Sequence, residues 1–236
     1  MIIVAKCGFN RHIKREVLYG PTHLGGAEFS ELYDQQGIGQ VSAFLCHWRT
    51  GRLIGTLMRT LVAWANYSVG TSVSLLEDVS TPFPHLEAKW LRSMRDYLNH
   101  VGAWIELDDA GIAPVEREND DYIMDLIIQS NAFQPAQVRT LNYCRLYLGA
   151  VTLSDLTTTN GKYLDNVKLH GVMSRMSHET RWLKIHQARP AEAQWRLWQK
   201  ANLIWSSKKG RLHQPLGKWL RNNDERRIMC PTYTYI

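Results

Sequence analysis

Between residues 37 and 68 the apolar side chains recur at helical spacing, and this block does most to decide what the chain can fold into. Val41, Phe44, Leu45 and Trp48 come first. After Thr50-Gly51 the pattern resumes with Leu53, Ile54, Leu57, Met58, Leu61 and Trp64. Intervals of three and four place such residues on a common helix face. The block predicts two helices, or one broken at Gly51. Leu57, Leu61 and Trp64 are expected to be buried on one face, together with Ile123, Leu126 and Ile127.

The same spacing returns downstream. Leu86, Trp90, Leu91, Met94 and Leu98 predict an amphipathic helix ending near Asn99. Residues 122–128 are apolar nearly all round, so that helix should be central. Asn131 and Pro135 separate it from a helix bearing Val138, Leu141, Cys144 and Leu148, and Pro135 suits the first helical position. Residues 191–205 predict a helix with Trp195, Trp198, Asn202 and Trp205 on one side. Aromatic residues at that spacing are usually core, and these three tryptophans are expected inside.

The connections read as loops and turns. Residues 69–84 form a loop rich in Gly, Ser, Thr and Pro. Residues 103–107 alternate weakly and suggest a short strand. Asp108-Asp109-Ala110-Gly111 and Asn160-Gly161 are turn signals, the latter beside a short strand or helical turn at residues 152–156. Residues 173–185 are semi-periodic, and Arg189-Pro190 is a break. At the start, Ile2, Ile3 and Val4 suggest a short strand ahead of a basic patch of Lys6, Arg11, Lys14 and Arg15. Ser30 reads as a helix N-cap that lacks the matching acid three residues on. The expected architecture is mainly α, a helical bundle with a few short strands. A helical body spans residues 1–150 and a smaller basic helical region spans residues 151–236.

Charge divides the chain in the same way. Residues 1–165 hold 14 Lys and Arg against 18 Asp and Glu, whereas residues 166–236 hold 14 against 4. A basic end suggests an anionic partner, and an RNA or DNA backbone is the leading one. Arg196, Lys200, Lys208, Lys209, Arg211, Lys218 and Arg221 are the expected phosphate contacts, since such contacts need no special geometry. No apolar run is long enough to span a membrane, and the opening residues are too short for a signal peptide. Cysteines at 7, 46, 144 and 230 form no CxxC pair. Cys46 and Cys144 lie in apolar helical patterns and are expected as buried thiols in a reducing, intracellular setting.

Catalytic patterns are missing. No HExxH, GxSxG or Walker A sequence occurs, and the nine histidines are scattered. His178 and His186 are spaced to share a helix face but lack a third ligand. Asp120, Asp121 and Asp125 read as solvated acids at a helix start, where the helix dipole favours them. No cofactor or metal is expected.

One resemblance is carried by several short blocks. They are Leu18-Tyr19-Gly20-Pro21, Leu24-Gly25-Gly26 and Leu32-Tyr33 before a helical run, then Arg117-Glu118-Asn119-Asp120 with Met124-Asp125. Residues 141–148, Trp195-Arg196-Leu197-Trp198 and residues 214–220 complete the set. Together they resemble the region after the palm in reverse-transcriptase-like proteins of non-LTR-type mobile elements from algae and other microbial eukaryotes. The resemblance implies a thumb-like helical body that grips nucleic acid, with Arg49, Arg52 and Arg59 on its polar side facing phosphates. It carries over no catalytic residue. The family's Tyr-x-Asp-Asp hairpin does not occur, and residues 230–236 do not match, so a truncated or repurposed fragment is expected. The implied partners are nucleic acid and either an upstream polymerase palm or another protein subunit. Two functions follow from this reading: a non-catalytic nucleic-acid-binding fragment, or a repurposed helical interaction or structural subunit of a larger complex.

Overall fold

The computed structural model describes residues 12, 14–27, 31–170 and 188–220. Among these the chain is mainly helical, in the order α1 (Arg15–Tyr19), α2 (Leu32–Trp48), α3 (Leu53–Val69), α4 (Lys89–Val101), α5 (Ile123–Gln129), α6 (Pro135–Leu148), α7 (Asn166–Leu169) and α8 (Glu192–Asn202). Short 3-10 turns lie at Thr22–Leu24 and Leu153–Leu156. The break at residues 49–52 makes α2 and α3 separate helices. No sheet forms among the described residues, and strand pairing is limited to isolated antiparallel bridges. The expected strand at residues 103–107 does not form, and the segment there is irregular, with Ile105 N donating to Leu76 O at 2.9 Å.

Two apolar clusters organise the molecule. The first joins Phe44 of α2 and Val62, Ala65 and Val69 of α3 to Leu91, Met94 and Leu98 of α4. Leu75, Leu76, Phe83 and Leu86, from the loop between α3 and α4, fill it. The second joins Ile123 and Ile127 of α5 with Val138, Leu141 and Cys144 of α6. Across position 150 it takes in Leu153, Leu156 and Leu164, the α8 residues Trp195 and Trp198, and Trp205, Leu212 and Leu216. The central placing of α5 holds, since Ile123, Met124 and Ile127 are at most 1% exposed. The three tryptophans are buried as expected.

Several expectations change. Leu57 is 59% exposed and Trp64 48%, while Leu61 is only partly buried. They share no core with α5. The helix turns Gly55, Val62, Ala65 and Val69 inward instead, because small side chains let α2 and α3 approach closely. A helix apolar all round has no unique inner face by periodicity alone. Cys46 is exposed, while Cys144 is buried and its thiol is pushed up to about 12 by burial. Asp120 is buried rather than solvated: its Oδ1 accepts from Ser154 N at 2.9 Å, tying the start of α5 to the 3-10 turn. Glu31, not Ser30, stands at the N-cap position of α2. Ser30, most of the amino-terminal strand and basic patch, and residues 173–185 lie outside the described residues.

A loop with buried carbonyls must have donors for them, and buried arginines supply them. Arg95 donates from Nε to Leu75 O at 2.9 Å, and from Nη2 to Asp78 O at 2.7 Å and to Thr81 O. Its guanidinium stacks on Phe83, 4.3 Å from the ring centroid. Arg145, with no exposed surface, binds Asn142 Oδ1, Ala150 O, Tyr67 O and Ser68 O. That clasp ties α6 to the carboxy-terminal end of α3, and so joins the two clusters.

Candidate nucleic-acid interface

The expected phosphate contacts fall in three places. Arg49, Arg52 and Arg59 are exposed at the α2–α3 corner. Arg59 is already engaged there, donating from Nη2 to Trp48 O at 2.6 Å and to Thr50 O at 3.4 Å. Arg196 and Lys200 lie on the outer side of α8, opposite its buried tryptophans, and Arg196 meets Glu192 at 3.9 Å. Lys208, Lys209, Arg211 and Lys218 follow α8, all exposed. Arg221 lies outside the described residues.

Local chemistry builds the third group. After α8 the chain doubles back as a hairpin, with Ser206 bridged to Leu212 and His213 N donating to Trp205 O at 3.0 Å. Its tip is closed by Gly210 N donating to Ser207 O at 2.8 Å. Gly210 has φ +74°, a left-handed conformation that a side chain would oppose. Lys208 and Lys209 stand at that tip. Residues 157–164 form a second small hairpin, with Thr157 bridged to Leu164 and Asn160 Oδ1 accepting from Lys162 N at 2.9 Å.

The two hairpins pair edge to edge. Leu164 N donates to Gly210 O at 2.8 Å, and Leu212 N donates to Lys162 O at 2.9 Å. Tyr163 and Arg211 are therefore directly opposed in an antiparallel bridge. Alternation sends Leu164 and Leu212 into the second core and leaves Tyr163 and Arg211 outside, and Lys162, at the turn, is exposed as well. The 158–163 loop is flanked on its other side by the segment carrying Lys218. Leu216 N donates to Gly161 O at 2.9 Å. Arg117 locks this arrangement from beneath, donating from Nε and Nη2 to Gly217 O (3.1 and 2.8 Å) and from Nη1 to Thr159 O at 3.3 Å. Its guanidinium lies 4.7 Å from the ring centroid of Trp219, which is 49% exposed.

Tyr163 and Arg211 are thus paired on the outside, and Lys162, Lys208, Lys209 and Lys218 are exposed on the same set of loops. Over residues 188–220 there are seven Lys and Arg and one acid, Glu192. The sequence reading missed Lys162 and Tyr163, whose only signal was the adjacent Asn160-Gly161 turn. It also missed Arg117, which reads as one more surface charge and is 5% exposed.

An exposed acid, Glu118, lies beside Lys218, its Oε2 accepting from Lys218 N at 3.3 Å. Burial raises the Asp120 carboxyl, against hydrogen bonds from Ser154 N and the Thr152 side chain, with Asp155 and Asp121 adding to the rise. Burial likewise raises Glu116, reinforced by Asp155 and Asp120. Among the described residues no group of three His, Cys, Asp or Glu side chains is placed to hold a metal ion. Compared with known proteins, the chain matches no family model, no curated protein and no solved structure.

Proposed function

We propose that the chain binds single-stranded RNA or DNA across the face formed by Lys162, Tyr163, Lys208, Lys209, Arg211 and Lys218. The observation that carries this reading is the Tyr163–Arg211 bridge, which sets two exposed residues, an aromatic and an arginine, directly opposite each other on loops that also carry four exposed lysines. Cations that track a backbone, with an aromatic ring on which a base can stack, are the combination used for strands without sequence preference. Tyr163 is 44% exposed, so one ring face can be approached. In this reading the chain is a non-catalytic, thumb-like strand holder, working beside a polymerase palm carried elsewhere. Arg196 and Lys200 extend the positive field along α8. A duplex is the poorer fit, since its bases are not free to meet Tyr163.

Fluorescence anisotropy with labelled single strands and hairpins, read against salt, tests this. Phosphate contacts release counterions, so affinity should fall linearly on a log–log plot. Changing Lys208, Lys209 and Arg211 together to Ala should reduce that slope by about 2 on a single strand, from roughly 0.7 per contact. The loss should be the same for unrelated sequences, because phosphates carry no base information. No binding at low salt, or binding indifferent to the triple change, would refute the reading. It would favour the other role, a helical structural subunit.

A further inference from the structure

We infer that the outer face of α3 is an interface between two copies of this chain, paired antiparallel about a two-fold axis. The inference stands apart from nucleic-acid binding and concerns the opposite side of a helix already placed in the first core. Leu53 is 73% exposed, Ile54 53%, Leu57 59% and Trp64 48%. Positions 53, 57 and 64 follow at intervals of four and seven, so they form one stripe along the helix. Leu61, partly exposed, borders it. The inner face is formed by Gly55, Val62, Ala65, Asn66 and Val69. A helix that is apolar on both sides is one that is covered on both sides, and a continuous exposed apolar stripe marks an association site.

Charge beside the stripe identifies the occupant. Arg52, Arg59, Ala63 and Asn66 are spaced seven, four and three apart, and so lie in one row along a single edge of α3. At the amino-terminal half of that edge Arg52 and Arg59 are exposed. At the carboxy-terminal half a loop covers the row. A Cβ on Gly111 would come within 2.4 Å of the Ala63 Cβ, and Asn66 Nδ2 donates to Ala110 O at 2.7 Å. That loop carries the exposed Asp108 and Asp109. One edge of the apolar stripe is therefore basic at one end and acidic at the other.

A two-fold axis perpendicular to an antiparallel helix pair superimposes the amino-terminal half of that edge on the carboxy-terminal half of its copy. Arg52 then meets Asp108 and Asp109 of the second copy, at both ends, while Arg59, held by the Trp48 and Thr50 carbonyls of its own chain, lies near the axis. Parallel pairing about a two-fold would put this edge on opposite sides of the pair, where its basic and acidic ends could not meet. The apolar register fits as well, since the same axis places Leu53 opposite Trp64 and brings Leu57 and Leu61 of the two copies together at the centre. The helix itself, residues 53–69, contains no acid, so the loop at residues 108–111 is what makes the edge self-complementary.

Sedimentation velocity over a wide concentration range, without nucleic acid, tests this. The full chain should be a dimer. Leu57→Glu should raise the dimer dissociation constant by at least about 30-fold, the effect of losing one anchoring side chain. Leu57 is exposed, so far-UV circular dichroism and the melting temperature of the dilute variant should stay unchanged. Arg52→Glu alone and Asp108→Lys alone should each weaken the dimer, and the two together should restore it. A monomer at all concentrations would overturn the inference, as would a dimer indifferent to Leu57→Glu. Strengthening by Arg52→Glu, or failure of the double change to restore pairing, would overturn the antiparallel arrangement.

Discussion

Arg145 of α6 donates from Nη2 to the Tyr67 carbonyl at 2.8 Å, and through that bond it closes the carboxy-terminal end of α3. The last carbonyls of a helix have no partner within the helix. Here Ser68 O is taken by the same nitrogen at 2.9 Å, and Val69 O by His85 Nε2 at 3.0 Å. Gly70, at φ +72°, ends the helix, and a Cβ there would lie 2.6 Å from Arg145 Cζ. The positive guanidinium also meets the negative end of the helix dipole. One side chain thus satisfies the end of α3, fixes the turn at Gly70 and holds the two apolar clusters together.

Arg145→Met should be among the most damaging single changes. It keeps bulk but removes the donors from Tyr67 O, Ser68 O and Ala150 O. Each orphaned buried group costs roughly 1–3 kcal/mol, so urea unfolding should show a loss of at least about 3 kcal/mol. Arg145→Lys should recover only part of it, because a single ammonium cannot span the planar fork. A loss below about 0.5 kcal/mol, the level of an ordinary surface change, would mean the clasp is not part of the fold.

His85 should make stability fall in mild acid. The ring is 5% exposed, and its Nε2–H donates to Val69 O while Nδ1 has no partner. Its pKa is lowered from 6.5 to about 4, chiefly by burial; the Val69 hydrogen bond opposes this and the Arg145 charge adds to it. Between those values the unfolded chain binds the proton and the folded one does not. The contribution is therefore complete above pH 6.5 and is lost as pH falls towards 4, on the order of 3 kcal/mol in all. Melting curves should show this, and in His85→Gln the acid-dependent part should shrink.

Asp120 should act in the opposite sense. Its folded-state pKa is raised above the ordinary aspartate value of 3.8. As pH rises past that value the unfolded chain loses its proton first, so stability falls over the window above 3.8. Asp120→Asn keeps an oxygen for Ser154 N without the buried charge. It should raise the melting temperature near neutral pH, and its advantage should vanish in acid. A constant advantage at every pH would show that charge is not the cause.

Two aromatic changes should separate core from surface. Trp198 is fully buried, so Trp198→Ala should cost about 3–5 kcal/mol of stability. Tyr163→Ala should leave the melting temperature nearly unchanged and weaken single-strand binding by about 1–3 kcal/mol, the contribution of one stacked base. Its salt slope should match the wild type, because no phosphate contact is removed. Tyr163→Phe should bind as the wild type does. Unchanged affinity in Tyr163→Ala would remove the stacking platform from the proposed site.

What the sequence determined by itself was local. Helical spacing marked residues 37–68 as two helices or one broken at Gly51, Pro135 marked the start of α6, and the Trp195–Trp198 spacing marked a core face on α8. These follow from intervals of three and four and from backbone chemistry, which act within a few residues. The tertiary structure alone decided which side of α3 is inside, because Leu57 and Trp64 are as apolar as Val62 and only close packing against α2 selects the smaller set. It also decided that Arg95, Arg117 and Arg145 are buried, since their acceptors are backbone carbonyls, which every residue carries and no sequence pattern marks. Tyr163 and Arg211 became neighbours for the same reason: main-chain hydrogen bonds between two distant hairpins align them, and nothing in either residue announces the other.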